Sequence, residues 1–284
     1  MTRILFLTSI AGLLCLLLVA APGTPGRAGD DAPAPGSPPA PEKKEAPPAT
    51  SAPAATSQTG EGAEKKYPPQ DPALGAIEGR VILEGEPPAL KPLEIPANNK
   101  DHAFCSGHLK DLRLLVSSTR EVQNAVISVA GYKPEKKPEA REITLENRHC
   151  TFLPRIQATT VGSKLTVTSN DPFLHNTHAL LAASFNKAIA KGDEIVQKLP
   201  KQGGVLFQCD FHPWMQAWIQ VIPHDLFDVT NPKGTFKLVN VPPGEHEIEV
   251  WHEFLESPKQ KVKVEPGKTT KLDFSLQAKG KKKS

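Results

Sequence analysis

Methionine and cysteine are scarce in this 284-residue chain: the methionines are Met1 and Met215, and the cysteines are Cys15, Cys105, Cys150 and Cys209. Charge of one sign is scarce too, with 34 Lys and Arg against 31 Asp and Glu. A nucleic-acid-binding protein should present a basic face with interleaved aromatic residues. Here the basic residues collect only in the C-terminal "KGKKKS", which reads as a solubilising end or a weak contact for an anionic surface. Helical periodicity is almost absent, and the one candidate helix, over 184–199, is interrupted by Gly192. Only the N-terminus carries an apolar run of membrane-spanning length.

That run, from Ile4 to about Ala21 behind the single positive residue Arg3, reads as an export signal over 1–21 or an uncleaved anchor. Cys15 is a poor lipid attachment site, because Leu14 precedes it and apolar residues follow. Residues 22–72 are Pro, Ala, Ser, Thr and Gly with scattered "EKK" triplets, and too little in them can be buried to offset the entropy of ordering. This segment is expected to be a flexible spacer, a tether or a plain solvated tail. The protein is therefore expected to be exported, as a periplasmic, cell-envelope or secreted protein, with a possible membrane tether through its N-terminal segment. About 200 residues remain for folded material.

Those residues read as β-structure throughout. Runs such as "AIEGRVILEG" (76–85), "LRLLVSS" (112–118), "NAVISVAGY" (124–132), "REITLENRHC" (141–150), "SKLTVTSND" (163–171), "GVLFQCD" (204–210) and "AWIQVIP" (217–223) are short, rich in β-branched and aromatic residues, and bounded by Gly, Pro, Asn or Asp. With "GTFKLVNV", "HEIEVWHE", "QKVKVEPG" and "TTKLDFSL" behind them, they predict an all-β sandwich or barrel.

Loss of the signal removes Cys15 and leaves three cysteines, so one stays unpaired in an oxidising compartment. Three pairings are open. Cys105, in the loop-like "DHAFCSGH", and Cys150, in "NRHCTFLP", have no methionine nearby, which favours a Cys105–Cys150 disulfide. Cys209 lies in "VLFQCDFHPWMQAWIQV", where His212 and Met215 follow at intervals of three between two strand-like runs. Thiolate, imidazole and thioether are ligands that suit copper, and a short strand-to-strand connection can direct all three at one point. Zinc competes for a site of cysteine and histidine, and Met215 tips the choice to copper.

Upstream, "VTSNDPFLHNTHAL" offers a strand, a turn and then His175 and His178. At these two motifs the sequence resembles the cupredoxins, the blue-copper electron carriers typified by plastocyanin and azurin. The resemblance covers about 76–222. It implies a Greek-key β-sandwich (domain 73–222) with one type 1-like copper held by His175, Cys209 and His212, with Met215 as weak axial ligand. His178 is the alternative to His175. The gap between His212 and Met215 is shorter than in plastocyanins, which leaves the axial bond open. The resemblance also implies electron transfer without catalysis, and a redox partner docking where the His212 edge emerges near Trp214. Copper storage, delivery or sensing is the alternative function, as is a structural envelope module with a vestigial site.

After Pro223 the chain resembles the carboxypeptidase-regulatory-like module, a small transthyretin-like β-sandwich, through the polar turn at 231–234 and "VPPG" at 241–244. This gives a second module over 223–276 and a basic tail over 277–284. The opening run "AIEGRVILEGEPP" resembles the usual start of that module and is a candidate to complete its sheet. His102, His108, His149, His224 and His246 read as ordinary polar residues, and His252 with Glu253 as structural, because strand neighbours face opposite ways.

Overall fold

The computed structural model describes residues 65–256 and 259–279. The expected signal, most of the expected spacer and residues 280–284 lie outside the described residues. The last part of the expected spacer, 65–72, lies against the folded body: Lys65 pairs with Asp228 at 2.7 Å, the Tyr67 hydroxyl donates to Asp228 at 2.9 Å, and Asn240 donates to the Pro69 carbonyl at 3.1 Å.

The strands form two sandwiches. In the first, one sheet has the order β13 (Thr235–Val241), β1 (Gly75–Leu83), β18 (Phe274–Ala278), β15 (Leu255–Glu256), with β17 (Thr269–Lys271) also paired to β1. The facing sheet has the order β12 (Phe227–Val229), β2 (Val126–Val129), β14 (Gly244–Trp251), β16 (Gln260–Val264). Alternation along β13 sends Phe236 and Leu238 inward to meet Ile77, Val81, Ile127, Ile248 and Phe274 in a continuous apolar core. Strands from both sides of residue 223 thus share these two sheets.

The second sandwich is contiguous. One sheet runs β4 (Thr151–Leu153), β3 (Glu142–Arg148), β6 (Ser163–Ser169), β9 (Glu194–Leu199), and the other β5 (Ile156–Thr160), β11 (Gln216–Ile222), β10 (Gly203–Gln208), β7 (His175–Leu181), β8 (Phe185–Ile189). Leu145, Phe152, Leu165, Val167, Ile189, Val205, Phe207 and Ile219 fill its interior, and Cys209 and Met215 close one end of the same core. The two sandwiches meet through Val126, Ile156 and Ile222 with Trp218 and Trp251 packed around them. The buried Arg155 forms an ion pair with Glu253 at 2.5 Å across the same junction.

Two expectations are corrected. Residues 184–199 are not helical but form β8 and β9, turning through Gly192 at φ +84°. The helix-favouring Ala, Lys and Glu in this stretch yield to strand pairing with β7 and β6. Conversely, the loop-like "DHAFCSGH" contains the single helix among the described residues, α1 (His102–His108), and 112–118 contributes only one isolated bridge, Val116 to Val122. The helix is short and lacks an apolar period, and Cys105 is its one buried residue.

Candidate metal centre

The spacing of three between Cys209, His212 and Met215 has a backbone cause. The His212 N–H donates to the Cys209 carbonyl at 3.2 Å, and the Met215 N–H to the His212 carbonyl at 2.8 Å, giving two successive tight turns. The Cys209 N–H closes the loop on the Met215 carbonyl at 3.3 Å, just above the Gln208–Gln216 pair that ends the β10–β11 hairpin. The backbone of Cys209, His212 and Met215 is thereby drawn into one tight loop at the end of the hairpin.

β7 supplies the fourth element. It starts at His175, after the chain crosses from β6 to the opposite sheet, and its first residue faces the hairpin loop. His175 Nδ1 lies 3.7 Å from Cys209 Sγ, and His212 Nδ1 lies 3.5 Å from it. The three donor atoms lie within 4.8 Å of one another. His175 and His212 are 0% exposed, and Cys209 and Met215 are 1% exposed.

Both rings are held from behind by carboxylates. His175 Nε2 donates to Asp171 Oδ2 at 2.9 Å, and His212 Nε2 donates to Asp101 Oδ2 at 3.0 Å. A neutral imidazole that donates through Nε2 carries a bare lone pair on Nδ1, so both lone pairs face the thiol. The sulfur also receives the Asn176 N–H at 3.5 Å. Phe173 packs against both rings, with ring centroids 5.2 Å from His175 and 5.4 Å from His212, and Trp214 meets His212 edge-to-face with centroids 5.2 Å apart.

The ionisation states follow. Burial opposes thiolate formation at Cys209, but where the rings are also protonated on Nδ1, hydrogen bonds from His175 and His212, with that of the Asn176 N–H, outweigh it and pull the pKa to about 6; in the neutral Nε2–H tautomers the same two nitrogens offer lone pairs instead. Burial likewise opposes the charge on Asp171, and the bonds from His175, Cys150 and His149 overcome it and hold the carboxyl below its ordinary range. At His175 burial acts against the cation, while Asp171 and Cys209 more than compensate and raise its pKa.

Asp171 has a further task. His149 and Cys150 form the two-residue connection between β3 and β4, with φ of 54° and 56°, a left-handed pair that ordinarily calls for Asn-Gly. Both of their N–H groups donate to the Asp171 carboxylate, at 2.7 and 2.9 Å. Cys150 is bonded to Cys105 of α1, the favoured pairing from the sequence, and Cys209 is the free cysteine among the described residues.

His178 does not join the cluster. Three residues along a strand from His175, it faces the other way, with its Nδ1 3.0 Å from Asp210 and its side chain 33% exposed. Asp210 accepts from Asn176 and Asn186 as well, at 2.7 and 2.8 Å, and this polar knot ties the hairpin loop to β7 and β8. The expected emergence of the His212 edge through an apolar surface is also corrected: the His212 side chain is fully buried, and Asp101 occupies the Nε2 that would have faced solvent. Sequence reasoning missed Asp101 and the part played by Asp171. Asp101 lies 111 positions from its partner His212, and Asp171 sits between Asn170 and Pro172, where an aspartate reads as a plain turn residue.

No family model matches the chain, and no curated protein matches it. Among solved structures, part of it is similar to a copper-containing nitrite reductase from Thermus scotoductus SA-01, at 19% identity and a TM-score of 0.27, covering 34% of this chain and only 25% of that one. A purple cupredoxin from Nitrosopumilus maritimus matches at 23% identity and a TM-score of 0.25 over 30% of this chain and 100% of its own. Amicyanin from Paracoccus versutus matches at 16% identity and a TM-score of 0.25 over 34% of this chain and 97% of its own. Likenesses of this size carry no functional argument, which rests on the donor geometry: a buried cluster of two histidines and a cysteine consistent with a copper site.

Proposed function

We propose that the chain is an exported mononuclear copper protein that carries electrons, in which His175, Cys209 and His212 would hold one type 1-like copper with the Met215 thioether as a further, weak donor. One observation carries this reading: a thiol and two carboxylate-anchored imidazoles converge through Sγ and Nδ1 on one buried point. Bound there, copper supplies a one-electron couple. The chain's own residues do the rest. Asp171 and Asp101 keep the proton on the far side of each ring, the Asn176 N–H orients the sulfur, and Phe173 with Trp214 excludes water.

Burial of all three donors favours a carrier over a storage or delivery protein, which needs a site that gains and loses metal readily. It also favours a non-catalytic role, since a substrate would have to reach a covered centre. A redox partner would meet the surface where Phe211 and Leu174, the chain neighbours of His212 and His175, remain 44% and 40% exposed. The first sandwich would serve as a structural or binding support, in keeping with the likeness of 223–276 to a carboxypeptidase-regulatory-like module.

The test is the visible and EPR spectrum of the chain purified from an oxidising compartment and titrated with Cu(II), beside Cys209→Ser. An intense visible band that saturates near one equivalent, with a narrow copper hyperfine splitting and lost in the variant, is expected. A pale spectrum indifferent to Cys209 would overturn the proposal.

A further inference from the structure

Asp101 stands at the N-cap position of α1, where an aspartate ordinarily accepts a backbone N–H from the first turn of its own helix. Its side chain makes no such bond. Instead Oδ2 accepts the Nε2–H of His212 at 3.0 Å, across 111 residues of sequence. The neighbouring backbone is arranged to hold it there. The Asp101 N–H donates to Asn99 Oδ1 at 3.0 Å, Asn99 Nδ2 donates to the Phe211 carbonyl beside His212 at 3.1 Å, and the Cys105 N–H donates to the Asp101 carbonyl at 3.0 Å.

We infer that Asp101 is a positioning residue of the metal centre: it fixes His212 in the tautomer whose Nδ1 lone pair faces Cys209, and it seals the edge of that ring from solvent. The inference rests on the metal-binding reading for its consequence but not for its geometry. Without an acceptor at Nε2, the neutral ring is free to place its proton on Nδ1, which lies 3.5 Å from the sulfur, where that proton blocks a metal ion. Partners of this kind behind a ligating histidine typically change metal affinity about 10–100-fold when lost.

Two measurements test this on the full chain with its disulfide intact. The first is the imidazole 15N NMR of the metal-free protein. His212 is expected as the Nε2–H tautomer in the wild type and in Asp101→Asn, whose amide oxygen still accepts, with the Nδ1–H form populated in Asp101→Leu. The other is Co(II) affinity by absorption titration, Co(II) alone being the probe. It is expected to fall about 10–100-fold in Asp101→Leu and to be largely restored in Asp101→Asn. Equal affinity in all three proteins, or equal loss in both variants with an unchanged tautomer, overturns the inference. If Asp101→Leu fails to fold, an Nδ1–H tautomer at His212 in the wild type overturns it alone. A wild type that binds neither Co(II) nor copper defeats the proposed function, while the tautomer still decides the role of Asp101.

Discussion

The Cys105–Cys150 bridge gives the sharpest numerical test, because it joins the segment carrying Asp101 to the turn cradled by Asp171. Replacing both cysteines with alanine opens a loop with a sequence separation of 45. The chain-entropy relation assigns a loop of that length about 4 kcal/mol at 25 °C, arising from the greater freedom of the unfolded chain. Both half-cystines are fully buried, so loss of the sulfur atoms adds to the entropic term. The assay is guanidinium unfolding under non-reducing conditions, followed by the fluorescence of Trp214, Trp218 and Trp251, with the free energy taken by linear extrapolation. A loss of about 4 kcal/mol or more is expected, together with weaker Co(II) binding, since Asp101 then keeps its place through hydrogen bonds and the packing of Phe104 and His108 against Phe173 and His149 alone. A loss below about 1 kcal/mol, with Co(II) affinity unchanged, would refute the reasoning that the bridge holds this segment on the centre.

Further tests concern the first sandwich. His252 is 3% exposed, its Nδ1 accepts the Phe254 N–H at 3.2 Å, and burial, helped by the charges of Lys279 and Arg155, pushes its pKa down to about 4. The unfolded chain, at about 6.5, takes up the proton first, so this group costs nothing above 6.5 and removes stability as the pH falls from there toward 4. About 2 kcal/mol should be lost by pH 5, and His252→Asn, which keeps an acceptor for Phe254, should abolish that part of the difference between pH 7 and pH 5 in urea unfolding. An identical pH dependence in the variant would refute the assignment. At Gly79 in β1 an added Cβ would lie 1.9 Å from the Leu272 carbonyl oxygen, a backbone atom of the short connection between β17 and β18 that runs tightly against β1. Gly79→Ala should therefore lower stability by about 3 kcal/mol, and a thermal midpoint equal to the wild type would show that this connection moves away from β1 freely.

What could be read from the sequence was what local chemistry encodes. Alternation in "SKLTVTS" reports a strand with one buried face, and β6 has that pattern. The interval of three in Cys209, His212 and Met215 is the signature of successive tight turns, and the cysteine count pointed to one free thiol. The helix α1 was invisible because seven residues with one buried side chain carry no periodic signal; it is held by its disulfide and by contacts beyond itself. The strands β8 and β9 were hidden because their residues favour helices locally, and only pairing with β6 and β7 decides the matter. Asp101 was invisible for a different reason. Its type and position suit a helix cap, and nothing nearby in sequence reveals that the carboxylate is spent elsewhere.

The centre is the meeting point of a closed circuit of contacts, and this bears on how its donors come to be in place. Asp101 holds His212, His212 faces Cys209, Cys209 faces His175, and His175 is held by Asp171. Asp171 in turn accepts the Cys150 N–H, Cys150 is bonded to Cys105, and the Cys105 N–H returns to the Asp101 carbonyl. The links draw on segments far apart in the chain, so sequence proximity alone does not fix the circuit. A ring of this kind restrains both imidazoles from two sides, and the ordering of the donors is carried by folding instead of by the metal. By the same linkage, any ion that binds only the assembled donors must stabilise the whole ring by RT ln(1 + [L]/Kd). Protection from amide exchange at Cys105 and Cys150 should therefore rise when Co(II) occupies a point bounded by His175, Cys209 and His212.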